Sequence, residues 1–146
     1  MRGDVVGGPI HWRIHLSLPP DDVFAILDSD SGRAAFWAES AVEIDQVIHF
    51  EFINGMAYQS RILDRRRPSV FAISYFGGEV RFELEPDGKG GTDVKLTHSG
   101  VPDDHWNEVH AGWLNVLFPL KVWATYQIDV RNHDPERLWD EGYVDQ

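Results

Sequence analysis

The chain contains no cysteine, which excludes disulfides and thiolate-held metals and suits a reducing, cytoplasmic compartment. It has no apolar run near the roughly 18–20 residues that a membrane span needs. Its opening, MRGDVVGGPI, lacks a secretory hydrophobic stretch and cleavage pattern. A soluble cytoplasmic protein with no membrane partner is therefore expected. Basic residues are scarce, 13 against 24 acidic, for a formal charge of −11. Such a surface repels phosphate backbones, so nucleic acid is not expected as a partner. The one basic cluster, Arg65-Arg66-Arg67, reads as a solvated turn. Missing as well are a nucleophile elbow, a phosphate loop and a dinucleotide fingerprint. The glycines at 77–78 and 88–91 fall between strands and read as turns.

What the chain does have is aromatics, 12% of its residues including six tryptophans. Large aromatics usually fill cores, but they also line ligand pockets. At 146 residues the chain has the size of one domain, which buries roughly 68–70% of its unfolded surface. No repeat or linker divides it, so residues 1–146 are read as a single domain. Residues 1–9 form an N-terminal segment, and 131–146 an acidic tail that packs down through Leu138, Trp139 and Tyr143.

Alternation of apolar and polar residues marks half-buried strands. It appears first from Ile10 to Leu18, where Pro19-Pro20 ends it. Asp21-Asp22 then suits a helix N-terminus, and a short amphipathic helix runs through Leu27. A second short helix passes Phe36 and Trp37. Alternation returns in one strand from Ala41 through Val42, Ile44, Ile48 and Phe50 to Phe52. Asn54-Gly55 is a hairpin signal, and further strands follow at 56–63, 70–76, 80–85 and 94–98. The expectation is six strands in an antiparallel meander. Pro102-Asp103-Asp104 then opens a helix over about 103–130. Its stripe is Trp106, Val109, His110, Trp113, Leu114, Leu117, Leu120, Trp123, Ala124 and Ile128, and a kink is expected at Pro119.

The Asn54-Gly55 hairpin leaves two registers open. A two-residue turn sends Gln59 and Arg61 to the face of Phe50 and Phe52, where Arg61 could anchor a ligand carboxylate. A bulged three-residue turn sends Tyr58, Ser60 and Ile62 inward instead. The bulged form is preferred because it keeps a charge out of the interior.

Three segments carry a family resemblance: FWAESAVEIDQVIHFEFING, RRRPSVFAISY and, most specifically, TDVKLTHSGVPDDHWNEVHAGW. With the element order they make residues 10–130 resemble the START-like (SRPBCC) helix-grip superfamily, in the branch named for the activator of heat-shock-protein-90 ATPase. The resemblance implies an α+β helix-grip fold: a curved six-stranded antiparallel sheet around a long C-terminal helix, with two short helices after strand 1. The tail, RNHDPERLWDEGYVDQ, is similar to one in a bacterial subgroup of that branch. The eukaryotic co-chaperones of this name carry a separate N-terminal domain to which nothing here corresponds. The fold serves lipid binders, receptors, aromatase-cyclases and oxygenase subunits, so it does not fix a function.

No catalytic residue, cofactor or metal site is assigned from the sequence. His105 and His110, five apart on a helix, point about 140° apart, poor geometry for one ion, and His98 has no neighbouring ligand. Glu43, Glu51, Glu79, Glu83 and Glu85 alternate with apolar residues and read as the solvent face. The better candidate is an internal cavity under the long helix. Trp106, His110, Trp113 and Leu117 would form its helical wall, with Phe50, Tyr58 and Phe82 on the sheet side. The leading expectation is a binding domain for a small apolar or amphipathic molecule. A cyclase- or dehydratase-type enzyme using His110 or His98 is the alternative. An interaction module of the co-chaperone kind is a third reading, and a homodimer is left open.

Overall fold

A computed structural model describes residues 7–146; of the N-terminal segment 1–9, residues 1–6 lie outside the described residues. The chain forms β1 (Ile10–Leu16), α1 (Pro20–Leu27), α2 (Asp30–Phe36), β2 (Ser40–Ile44), β3 (Val47–Glu51), β4 (Ala57–Arg66), β5 (Val70–Tyr75), β6 (Gly78–Pro86) and β7 (Thr92–Ser99). A 3-10 turn (Asp103–His105), α3 (Trp106–Gly112), α4 (Leu114–Tyr126) and a second 3-10 turn (Trp139–Glu141) follow. All strands belong to one antiparallel sheet in the order β1-β7-β6-β5-β4-β3-β2. An α+β fold with two short helices after the first strand is what the sequence led us to expect.

The strand count differs from expectation: seven among the described residues, not six. The single strand read over 41–52 is a hairpin, because Asp45 and Gln46 both take positive φ, 51° and 65°. Two such residues make the tight turn whose twist matches paired strands, and Ile44 pairs with Val47. The turn also reverses the expected facing of its first arm. Ala41 is buried opposite Phe50, whereas Val42 and Ile44 are exposed.

At the next hairpin Phe50 pairs with Tyr58 and Ile48 with Ser60. Phe52 N donates to the Met56 carbonyl, and Gly55 sits at φ 86°. This is the bulged turn, with Arg61 exposed and Ser60 fully buried. The Ser60 hydroxyl has no partner among the described residues. The basic cluster lies across the end of β4 and is neutralised locally. Arg65 reaches Asp28 and Glu43, Arg66 pairs with Asp64, and Arg67 with Asp21.

The long helix is also amended. It is two helices meeting at Trp113, which keeps helical dihedrals (φ −62°, ψ −27°). Backbone bonds cross the junction, from Trp113 N to the Val109 carbonyl (3.1 Å) and from Leu117 N to the Trp113 carbonyl (2.9 Å). The irregularity thus falls at Trp113, while α4 runs through Pro119. The helix ends at Tyr126 and not near 130, because Gln127 turns left-handed at φ 52°. Ile128 is consequently exposed rather than part of the buried stripe.

β2 is an edge strand, and an unpaired edge is a template for unwanted pairing. Here α2 covers it with side chains. The Arg33 Nε donates to the Ala41 carbonyl (3.1 Å), and Asp30 Oδ1 accepts from Glu43 N (2.9 Å). The same guanidinium donates to the Leu27 carbonyl, one of the four that a helix end leaves free, and to Asp30. Arg33 is wholly buried, and burial lowers its pKa from the usual value, opposed chiefly by the Asp30 charge.

Candidate functional site

Between sheet and helices the space is filled around Trp37, the residue that follows α2. Its ring meets Phe50, Tyr75, Phe82 and Trp113 with centroids 5.0–6.0 Å apart, distances at which offset and edge-on packing is favourable. Two polar links order this cluster. Trp113 Nε1 donates to His98 Nδ1 at 3.0 Å, and Trp37 Nε1 donates to the Tyr75 hydroxyl at 3.1 Å.

These bonds set the chemistry of the titratable groups. Burial pushes the Tyr75 phenol above its ordinary range despite the bond from Trp37, so the hydroxyl stays protonated at neutral pH. Burial likewise lowers His98, and a bond to the Tyr75 backbone opposes that shift only partly. His98 is therefore a neutral ring whose Nδ1 is occupied by Trp113. A proton-transfer role for it would first require breaking that bond.

The open space lies beside this cluster rather than inside it. A groove of about 200 Å³ is bounded by Tyr75, Phe76 and His98 of the sheet side and by Val109, Gly112, Trp113 and Val116 of α3 and α4. It shares Tyr75, Gly112 and Val116 with a chamber of about 330 Å³ that reaches Trp37, Phe52, Leu138 and Trp139. Its other end shares Phe76, His98 and Val109 with a hollow of about 460 Å³ that reaches Met56 and Pro102. The three hollows are thus neighbours along the same helices. Depressions over the other sheet face carry Arg13, Glu83, Glu85, Asp93 and Lys95, the solvated charges that strand alternation assigns there.

Of the residues singled out from the sequence, Trp113 borders the groove. Phe50, Phe82 and Leu117 are buried, the first two against Trp37. Tyr58 stands one layer out, stacked on Phe76 at 4.4 Å, its hydroxyl accepting from Gly77 N. Trp106 and His110 lie elsewhere. His110 is sandwiched between Trp12 at 4.4 Å and Trp106 at 4.7 Å, on the β1 side of the helix. Trp12 Nε1 donates to the His110 carbonyl and Trp106 Nε1 to the Gly8 carbonyl. The helical wall is thus Val109, Gly112, Trp113 and Val116, the same three–four spacing rotated by about one residue. Trp37, Tyr75 and Phe76 were not anticipated; the aromatic pair preceding Gly77-Gly78 was the signal available for the last two.

The tail forms one side of the chamber, and it is tied down at two points. Arg131, nearly buried, donates to the Ala38 and Ala34 carbonyls and pairs with Asp129. His133 bridges Glu39 (2.6 Å) and Asp129 (2.8 Å). Partial burial disfavours its charge, but the two carboxylates together raise its pKa. Farther on, Asn115 Nδ2 donates to the Gln146 carbonyl. Among the described residues, no group of three or more His, Asp or Glu is placed to hold a metal ion, and no helix is long and apolar enough to cross a membrane.

Solved structures with this arrangement include a protein of Staphylococcus saprophyticus, 18% identical over 84% of this chain and 96% of its own, TM-score 0.73. Aha1 of Colwellia psychrerythraea, solved as a dimer, is 21% identical over 81% of this chain and 96% of its own, TM-score 0.73. CalU16 of Micromonospora echinospora is 23% identical over 79% of this chain and 73% of its own, TM-score 0.66. At these identities the likeness speaks for the fold. No curated protein matches the chain. The sequence over residues 17–124 does match a family model, so this START-like chain belongs to the Activator of Hsp90 ATPase homolog 1-like protein family.

Proposed function

We propose that the protein binds a small apolar or amphipathic molecule in the cleft between α3–α4 and the β5–β6 end of the sheet, without catalysis of its own. The observation that supports this reading is the adjacency of three hollows along one aromatic wall, from Trp139 past Tyr75 and Trp113 to Phe76. The engaged state of His98 argues against the cyclase- or dehydratase-type alternative.

Gly112 supplies a direct test. It lines two of the hollows, and a Cβ built on it meets nothing within 4 Å. Gly112→Leu should fill the cleft while improving helix propensity, since glycine costs about 1 kcal/mol there. We expect Nile red, a neutral apolar dye, to bind the native protein and to bind Gly112→Leu at least tenfold more weakly, with no fall in melting temperature. Equal affinity in both proteins, or no affinity in either, would sink the reading.

A second reading, self-association, is favoured by one surface. Leu114, Phe118, Val122 and Tyr126 recur every four residues along α4, and Phe118 and Tyr126 are 59% and 68% exposed. Such ridges interdigitate when helices pack, and the similar Aha1 was solved as a dimer. Sedimentation should show a dimer that Phe118→Ser converts to monomer; a native monomer at high micromolar concentration would refute it.

A further inference from the structure

The chamber at the tail end of the cleft differs in chemistry from the groove beside it. Its walls are rings, Trp37, Phe52, Tyr75 and Trp139, and its charged residues are Glu108 and Asp140. No Lys, Arg or His lines it. Both carboxylates are exposed, and neither takes part in an ion pair among the described residues. Asn115, on the same wall, holds a buried side-chain carbonyl Oδ1 with no donor. A buried acceptor without a donor is costly.

We infer that this chamber receives the ammonium head of an amphipathic amine whose apolar part lies in the adjoining groove. The inference rests on the binding role proposed above and adds the chemical class of the ligand. Each wall component asks for the same partner. Ring faces attract a cation through their quadrupoles, tryptophan most strongly. Unpaired carboxylates favour positive charge and repel negative. A primary or secondary ammonium also brings N–H donors, which a carboxylate lacks. The field of a chain with net charge −11 concentrates cations at its surface in the same sense.

Three probes share one tail and differ in head: n-octylammonium, 1-octanol and octanoate. Titrated at neutral pH and followed by tryptophan fluorescence, octylammonium should bind at least tenfold more tightly than octanol, and octanoate most weakly. The double variant Glu108→Gln/Asp140→Asn should erase the preference for octylammonium and keep the octanol affinity, which also reports an intact fold. Glu85→Gln/Asp93→Asn, equal in charge but on the opposite face, should keep the preference. Equal binding of ammonium and alcohol, or a preference that survives Glu108→Gln/Asp140→Asn or disappears equally in Glu85→Gln/Asp93→Asn, overturns the inference and leaves the cleft as an apolar site. If none of the three probes binds, the binding role itself fails.

Discussion

Trp113→Ala should lower unfolding free energy by about 3–5 kcal/mol, the usual cost of emptying a buried aromatic site. For a chain of this length that corresponds to a fall in melting temperature of about 6–20 °C. Two losses contribute. The indole packs against Trp37, Tyr75, Phe82 and His98, and its Nε1–H is the donor to His98 Nδ1. Trp113→Phe separates them, because it keeps most of the packing and removes only the donor. The buried imidazole nitrogen then lacks a partner, which costs about 1–3 kcal/mol. Thermal unfolding followed by circular dichroism measures both. A Trp113→Ala protein as stable as the native one would mean that the helix junction is not anchored where the structure places it.

A comparable loss is expected at Arg33, for a different reason. Arg33→Leu keeps an apolar stem but withdraws donors from the Leu27 and Ala41 carbonyls. Each orphaned buried carbonyl costs about 1–3 kcal/mol, so the pair costs about 2–6 kcal/mol. Arg33→Lys should recover less than half of this, since one ammonium cannot reproduce a planar fork serving three acceptors. Chemical denaturation is the measurement, and a loss below 1 kcal/mol for Arg33→Leu would contradict the assigned role.

Alternation and punctuation in the sequence carried most of the fold. β1, β6 and β7 follow period-two patterns bounded by proline or glycine, and the charge penalty at Arg61 selected the bulged register at Asn54-Gly55. The Asp45-Gln46 turn was invisible because neither residue is glycine and the apolar residues keep even spacing across it, from Ile44 to Ile48. Only the paired positive φ values reveal that Ala41, not Val42, shares the face of Phe50. The site was less legible. Both stripes run at three–four spacing from α3 into α4, so spacing alone could not choose between Trp106–His110–Leu117 and Val109–Gly112–Val116. The choice is made by Trp12, whose ring takes His110 and Trp106 to the other side. Leu138, Trp139 and Tyr143 suggested that the tail packs down, but the bonds from Arg131 to Ala34 and Ala38 join distant segments, for which local patterning offers no sign.

The pairing of β1 with β7 has a consequence in time. Strands β2 to β7 join sequence neighbours through short turns and can zip in succession. β1 has no such neighbour, since Ile10 opposes His98 and Leu16 opposes Thr92. During synthesis β1 leaves the ribosome first and its partner almost last, an interval on the order of ten seconds at ordinary elongation rates. Through that interval Ile10, Trp12, Ile14 and Leu16 have no strand to cover them. Closing so long a loop also raises the contact order, which slows folding relative to a helical domain of equal size. The strand made first is thus expected to be the last to enter the sheet.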